Sequence, residues 1–310
     1  MAAGDTAQPI ALEIPQPHSI LDLTMADGAV IHVRRHGNSS GPRIVFAHGN
    51  GFASDAYFPF WRQLLPDFDL IVYDQRNHGW NPRHDFAHHT VVQMAEDMEV
   101  VRLAVEQAFG RRRTAGVFHS VSSIVSLVHF MKHGMSWDGL VLLDPPIVPP
   151  PGHRLHEKAH GFEITLHQWA LQRRNSFADP SELASHFKSA RRLRRWIDGA
   201  ADLMARAITQ QAPAAGYELA CPPRFEAEIY LQNARSPCWS AFPACASDIL
   251  LICSDYNAPD ADPPGLVCQA LAEEFGVEVV PIPETGHLLP IERPAEIEAV
   301  LREHLRSRRF

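Results

Sequence analysis

The stretch TAGVFHSVSSI, residues 114–124, changes from a strand pattern to a helix pattern within a single turn. Its first five residues are mostly apolar and partly β-branched, and Ile124, Leu127 and Met131 then repeat at intervals of three and four. Ser120 falls at the junction. A serine on such a turn is raised clear of the sheet, and the backbone N–H that follows it points from the helix N-terminus toward developing negative charge. The stretch therefore indicates Ser120 as a candidate nucleophile.

Strand and helix patterns alternate along the chain on both sides of this turn. A turn signal at residues 26–28 predicts a hairpin at the first pair of strands. Alternation of this kind favours an α/β fold with a mostly parallel sheet and helices on both faces. The eight predicted strands cover residues 20–24, 29–33, 43–47, 69–73, 114–118, 139–143, 249–253 and 277–280.

The pattern changes between residues 147 and 246. Prolines cluster at 145–151, buried-strand runs are missing, and aromatic residues are spread among helix formers. We predict that residues 147–246 form an inserted, mostly helical lid on a core made of residues 1–146 and 247–310. We expect the lid aromatics to suit an apolar or aromatic ligand, although at least half should form the lid's own core: Phe162, Trp169, Phe177, Phe187, Trp196, Tyr217 and Tyr230.

Composition limits the classes of partner. With 310 residues and 45% hydrophobic content, the chain can bury a large core. A net charge of −8 argues against nucleic acid, which needs a basic face. The basic run at residues 191–195 is interpreted as a solvated helix face. A small-molecule substrate is the expected partner, with the protein a monomer or a homodimer.

The five cysteines show no C-x-x-C spacing and are interpreted as reduced thiols. The N-terminus has no signal-peptide pattern, and no apolar run is long enough for a membrane span. A cytoplasmic protein is therefore expected. No cofactor is predicted, because the G-x-G-x-x-G and P-loop patterns are missing. No metal is predicted, because the histidine clusters at 84–89 and 153–160 lack an H-E-x-x-H frame.

A serine hydroxyl needs a neighbouring base, and the base needs an acid to orient it. His287, in the sequence ETGH after the last predicted strand, is the candidate base. An acid-rich segment follows Cys253 and contains three aspartates. The order of these groups along the chain is serine, acid, histidine.

This order, on a parallel sheet with an insertion, resembles the α/β-hydrolase superfamily, and the resemblance extends from about residue 20 over nearly the whole chain. The matching motifs are His48-Gly49, residues 74–79, His119-Ser120, Asp144-Pro145 and Gly286-His287. We expect His48 to orient its glycine turn, and Asp74 and Arg76 to connect loops.

The resemblance implies an eight-stranded α/β-hydrolase sheet and a Ser120–Asp–His287 triad. It also implies an oxyanion hole made by the N–H of Val121 with that of Asn50 or Gly51. The substrate pocket would lie beneath the lid, with Phe52, His119 and Trp169 as substrate-binding residues.

The triad acid is left open by the residues themselves. Asp260 is favoured because its place, 27 residues before His287 and immediately before a helix, fits the usual layout of the family that the chain resembles. Asp255, nearer the strand end, is the alternative acid, and Asp262 and Asp144 remain further candidates.

One departure from the family lies at the nucleophile. The family pattern is G-x-S-x-G, whereas this chain has Phe118 and Ser122 at the two glycine positions. Ser122 is small enough to be tolerated, but Phe118 requires space left by a neighbour.

These features predict a serine hydrolase that cleaves a carboxylic ester, or a related acyl bond, through an acyl-enzyme. One alternative keeps the triad but cleaves a carbon–carbon bond or transfers the acyl group. A second alternative, prompted by Phe118 and Ser122, is a non-catalytic ligand-binding member of the fold.

Overall fold

The computed structural model describes residues 12–190 and 193–310. Arg191 and Arg192 of the basic run lie outside these residues, so the interpretation of that run stays a prediction. Among the helices described, none is both long and apolar enough to span a membrane.

The described chain forms strands and helices in the alternation that the sequence predicts. The strands are β1 Ser19–Thr24, β2 Val30–Gly37, β3 Arg43–Ala47, β4 Asp69–Tyr73, β5 Thr114–His119, β6 Gly139–Leu143, β7 Ser176–Phe177, β8 Thr209–Gln211, β9 Tyr217–Leu219, β10 Ile249–Cys253 and β11 Glu278–Pro281. The helices are α1 Phe58–Trp61, α2 Val91–Phe109, α3 Val121–His133, α4 His156–Leu171, α5 Pro180–Ser189, α6 Ala200–Ile208, α7 Pro223–Asn233, α8 Phe242–Cys245, α9 Pro263–Phe275, α10 Leu289–Glu292 and α11 Pro294–Ser307.

Eight of the strands form one sheet in the order β1-β2-β4-β3-β5-β6-β10-β11. The hairpin of β1 and β2 is antiparallel, as is the pairing of β2 with β4, and the other neighbours pair in parallel. The α/β class, the eight-stranded sheet and the hairpin are thereby confirmed. All five residues of β3, β4, β6 and β10 are buried, as expected for strands covered on both faces.

Helices cover the sheet from both sides and create two apolar layers. One layer joins α2, α3 and α9 to the sheet, and the other joins α1, α6 and α11 to the opposite face. Between these layers the carboxyl ends of β3, β5 and β6 lie side by side, because their strands are parallel neighbours. Polar residues that follow these ends are brought together at one edge.

A long segment separates β6 from β10, although the two strands are neighbours in the sheet. It contains α4 to α8 and a small three-stranded sheet in the order β7-β9-β8. That sheet is missing from the sequence prediction, because strands of two or three residues carry too little pattern to read. The assignment of residues 147–246 as a lid domain remains a prediction.

The bulky Phe118 is accommodated within the central strand β5. Its ring is fully buried and meets Trp137 edge-on, with ring centroids 5.3 Å apart. Gly116 lies two residues earlier, on the same face of the strand, and a Cβ there would come within 2.5 Å of the Phe118 ring. Because Gly116 has no side chain, the Phe118 ring has the space that a glycine at position 118 would not have needed.

We predict that Gly116→Ala lowers the free energy of unfolding by about 1–3 kcal/mol, because the new methyl group overpacks the Phe118 ring. Gly161→Ala is the matched control. Gly161 is exposed inside α4 with open space around its Cα, so the same change there should stabilise the protein by about 0.5–1 kcal/mol. Urea denaturation measures both. Equal changes in the free energy of unfolding at the two sites would contradict the packing explanation. So would a double variant Gly116→Ala/Phe118→Leu that is no more stable than Gly116→Ala.

Candidate active site

Ser120 occupies the sharp turn between β5 and α3. Its backbone has φ 54° and ψ −120°, a conformation that residues other than glycine rarely adopt. The Ser120 N–H donates to the carbonyl of Leu143 at 3.0 Å, which ties the turn to the end of the neighbouring strand. The fully buried strand β5 on one side and the helix α3 on the other hold Ser120 in this conformation.

The second departure from the glycine pattern, Ser122, makes hydrogen bonds that a glycine could not make. Its hydroxyl donates to the carbonyl of His48 and accepts from the side-chain amide of Gln75 at 3.0 Å. The Gln75 backbone N–H in turn donates to His48 Nε2 at 3.0 Å, and the Nδ1–H of His48 donates to the Gly49 carbonyl at 2.7 Å. Ser122 thus joins the Ser120 turn to the His48-Gly49 turn.

His287 lies between Ser120 and an aspartate. Its Nε2 is 2.9 Å from Ser120 Oγ, and its Nδ1 is 2.7 Å from Asp144 Oδ2. A buried carboxylate accepts hydrogen bonds, so Nδ1 carries the imidazole proton and Nε2 turns its lone pair toward the serine hydroxyl. The arrangement can transfer a proton from Ser120 to His287.

Asp144 follows the last residue of β6 and is fully buried. Ser254, just after the neighbouring strand β10, donates to Asp144 Oδ1 through its N–H at 2.9 Å and its hydroxyl at 3.0 Å. Both carboxylate oxygens therefore have partners, and the carboxyl plane is fixed toward His287.

Comparison with known proteins shows the family of the chain. Residues 44–300 match the model of the alpha/beta hydrolase family. The chain belongs to that family. A curated relative, the uncharacterised protein YqjL of Bacillus subtilis, is 25% identical over 147 residues, which cover 45% of this chain and 56% of YqjL. The chain thus spans little more than half the length of that relative.

Solved structures share the fold at low sequence identity. E-2-(acetamidomethylene)succinate hydrolase superposes with a TM-score of 0.72 at 17% identity, covering 92% of this chain and 98% of that one. An alpha/beta hydrolase from Novosphingobium aromaticivorans gives 0.72 at 18% identity, over 93% and 98%. A thermophilic esterase from Thermogutta terrifontis gives 0.65 at 19% identity, over 94% and 99%.

The predicted acid requires a correction in this alpha/beta hydrolase. Asp260 is exposed and does not contact His287. Asp255 accepts the N–H groups of Asn257 and Glu284, each at 3.0 Å. The carboxylate that reaches His287 is Asp144, because β6 and β10 are adjacent and an acid after either strand can face the same histidine. The sequence did carry a signal for Asp144, because this aspartate directly follows a continuous apolar strand.

The predicted oxyanion groups lie on the two turns that Ser122 connects. Val121 is the first residue of α3, so its N–H has no partner within the helix. The Gly51 N–H is occupied, since it donates to His78 Nε2 at 3.1 Å. No acceptor in the described chain is bonded to the Asn50 N–H. Of the two alternatives, the geometry therefore favours Asn50 as the partner of Val121.

His119, predicted to bind substrate, is fully buried instead. Its Nε2–H donates to the backbone carbonyl of His287 at 2.9 Å, and its Nδ1 accepts from the Tyr57 hydroxyl at 2.8 Å. Tyr57 also accepts the Gly49 N–H at 3.2 Å. Burial, together with the nearby His287, holds the pKa of His119 well below its usual value, so it stays neutral. Its position suits support of the His287 loop rather than contact with a ligand.

Glu226 of α7 reaches the Asn50-Gly51 turn, which sequence reasoning missed. The Asn50 side-chain amide donates to the Glu226 carbonyl at 2.8 Å. The Glu226 carboxylate lies directly over Gly51, where a Cβ would come within 2.5 Å of it, and it pairs with Arg173. Gly51 has φ +71°, so both its backbone and its contact require glycine. A charged pair, rather than an apolar group, therefore lies against this turn.

The other predicted substrate-binding residues have different surroundings. Phe52 is partly buried and meets Tyr57 edge-on at 6.4 Å. Trp169 is 51% exposed, and the Arg173 guanidinium lies 5.1 Å from its ring centre. Phe187 and Trp196, two of the seven aromatics of the predicted lid, pack against each other with ring centroids 5.5 Å apart.

The pKa of His287 results from opposing effects. Burial is the largest single effect and lowers it, whereas the hydrogen bond and charge of Asp144 and the nearby Asp262 and Glu163 carboxyl groups raise it. The net pKa lies above the usual 6.5. His287 is the group whose ionisation should control the reactivity of Ser120.

We predict that Asp144→Asn slows modification of Ser120 by a fluorophosphonate about 10³–10⁴-fold, because the amide favours the wrong imidazole tautomer. Asp260→Asn is the matched control, and its rate should equal that of the native protein. Mass spectrometry of the labelled peptide at timed intervals measures both. A slow Asp260→Asn variant beside a fast Asp144→Asn variant would restore the sequence prediction.

The rate of the same modification should depend on pH with a single midpoint above 6.5. His287 accepts a proton only when neutral, so reactivity is full above its raised pKa and falls as the pH decreases through it. Asp262→Asn removes one charge that raises this pKa and should move the midpoint downward. A native midpoint at or below 6.5 would contradict the assignment.

Proposed function

We propose that this protein is a serine hydrolase that cleaves a carboxylic ester, or a related acyl bond, of a small molecule. The observation that carries the proposal is the continuous contact from Asp144 to His287 to Ser120, with distances of 2.7 and 2.9 Å. A nucleophile, a base and an orienting acid in this arrangement are what acyl transfer needs.

The proposed reaction has two halves. Ser120 Oγ attacks the substrate carbonyl while His287 Nε2 takes its proton, and the oxyanion accepts hydrogen bonds from the N–H groups of Val121 and Asn50. His287 then gives the proton to the leaving alkoxide, which leaves an acyl-enzyme. Water attacks the acyl-enzyme and loses a proton to His287, which then gives that proton to Ser120 Oγ as the acyl bond breaks, so that the acid is released and Ser120 is free again.

We further propose that residues 147–246 act as the lid of this site. Two contacts support that role: the Asn50 amide bonded to the Glu226 carbonyl, and the Asn233 amide bonded to the Pro146 carbonyl at 2.9 Å. The first joins the segment to the proposed oxyanion turn, and the second joins it to the chain just after Asp144. Substrate held beneath such a segment would be shielded from bulk water.

We expect the native protein to be labelled at Ser120 by a fluorophosphonate and to hydrolyse p-nitrophenyl butyrate. Ser120→Ala should lose both properties, because it removes the attacking oxygen. Ser126→Ala, which alters another buried serine on α3, should keep both. Labelling is read by mass spectrometry and turnover by absorbance. A folded native protein that is not labelled at Ser120 would exclude the mechanism, and labelling without ester turnover would exclude ester cleavage.

A further inference from the structure

The turn that carries Asn50 has a defined backbone conformation. The Phe52 N–H donates to the Gly49 carbonyl at 3.2 Å, which closes a four-residue β-turn. Gly51, in the third position of this turn, has φ +71°, as a type II β-turn requires. The direction of the Asn50 N–H therefore depends on the groups that hold Asn50 and Gly51 in this conformation.

His78 fixes the orientation of the Gly51 peptide. The His78 Nδ1–H donates to the Arg76 carbonyl at 2.9 Å, which leaves Nε2 to accept the Gly51 N–H at 3.1 Å. Burial and the neighbouring His48 hold the pKa of His78 well below its usual value. The ring is therefore neutral and keeps the lone pair that this hydrogen bond needs.

Glu226 of α7 contacts the same turn with two groups. Its main-chain carbonyl accepts the Asn50 side-chain amide at 2.8 Å. Its carboxylate lies against Gly51, where a Cβ would come within 2.5 Å of the carboxyl carbon and of Oε1. Glu226 is 1% exposed, so this contact is made away from water. A displaced carboxylate would leave open space beside Gly51.

Arg173, two residues after the end of α4, holds the Glu226 carboxylate in place. Its Nη1 donates to Oε2, and the two side chains are 8% and 2% exposed. The Tyr230 hydroxyl donates to Oε1 at 3.4 Å, and the Trp169 ring centre lies 5.1 Å from the Arg173 guanidinium. Removing one member of a buried ion pair leaves a charge without compensation. The position of the carboxylate beside Gly51 therefore depends on Arg173.

The charge of the pair also matters to the proposed chemistry. The oxyanion is proposed to accept the N–H of Asn50, the residue next to Gly51, and an uncompensated carboxylate against this turn would repel it. Burial raises the pKa of the Glu226 carboxyl, whereas the charge and hydrogen bond of Arg173 oppose that rise. The guanidinium thus compensates a negative charge that the turn would otherwise meet.

We propose that Arg173 and Glu226 are positioning residues for the oxyanion turn: Glu226 holds Asn50 and Gly51 in place, and Arg173 fixes and neutralises Glu226. The proposal rests on the serine hydrolase proposed above and adds two residues to its machinery. Neither residue needs to touch the substrate. Their effect reaches the reaction through the Asn50 N–H, so it belongs to the transition state more than to the bound ester.

Arg173→Met should lower kcat for p-nitrophenyl butyrate at least about tenfold and change KM less than about twofold, because both half-reactions pass through an oxyanion. Arg174→Met is the matched control. Arg174 pairs with Glu182 at the surface, where the two side chains are 62% and 38% exposed, so this variant should keep the native kcat. A folded Arg173→Met variant with native kcat, or with a change in KM alone, would overturn the proposal.

Two double variants remove both charges and differ in how they fill the space beside Gly51. Arg173→Met/Glu226→Gln keeps a side chain of the same size and the main-chain carbonyl, so kcat should return to within about threefold of native. Arg173→Met/Glu226→Ala leaves that space empty and should stay at least about tenfold below native. Neither double variant buries an unpaired charge, so the comparison applies even if Arg173→Met alone does not fold. Equal kcat values in the two would overturn the proposal.

Hydrogen exchange reports the state of the turn whether or not an ester is hydrolysed. Exchange of the Gly51 amide, followed by NMR, should be at least about tenfold faster than native in Arg173→Met and in the alanine double variant, and near native in the glutamine double variant. If the native protein hydrolyses the ester but neither kcat nor exchange responds, the positioning proposal fails alone. If the native protein hydrolyses no ester, the proposed hydrolase fails, and the exchange rates still decide whether the pair holds the turn.

Discussion

The hydrogen bond between Asp144 and His287 sets the geometry of the whole carboxyl edge of the sheet. It requires Asp144 to leave β6 in a left-handed conformation, with φ 46°, and it requires two donors from Ser254 to hold the second carboxylate oxygen. It also selects the imidazole tautomer whose free lone pair faces Ser120. The adjacency of β6 and β10 makes the arrangement possible, because their ends place Asp144 and Ser254 side by side.

A second hydrogen-bonded chain supports the histidine from behind. It runs from the Gly49 N–H through the Tyr57 hydroxyl and the His119 ring to the His287 carbonyl, and every donor in it meets one acceptor. A neutral His119 is essential, since an imidazolium would have no acceptor left for Tyr57. The turn that carries Asn50 and the loop that carries His287 are thus joined through the protein interior as well as through the site.

The main sheet could be read from the sequence, because its strands are continuous apolar runs bounded by turn residues and its helices have periodic faces. Ser120 and His287 were found from their positions after such strands. Asp144 was left as a minor candidate, since sequence order does not show which strand ends are neighbours. His119 was assigned to substrate binding because the sequence around a single histidine does not show whether its side chain is buried. The contact of Glu226 with Gly51 joins positions 175 residues apart, and no local pattern reports it.

The contact of α7 with the Asn50-Gly51 turn has a mechanical consequence. The Glu226 carbonyl holds the Asn50 side chain, and the Glu226 carboxylate closes over Gly51. Any outward movement of α7 that admits a ligand must break this support, and any return must rebuild it. In the proposed hydrolase, with residues 147–246 as its proposed lid, ligand entry and chemistry are separated in time, because α7 cannot be displaced and support the turn at once. The proposed acyl-enzyme, formed while α7 supports the turn, would then meet water only when α7 moves.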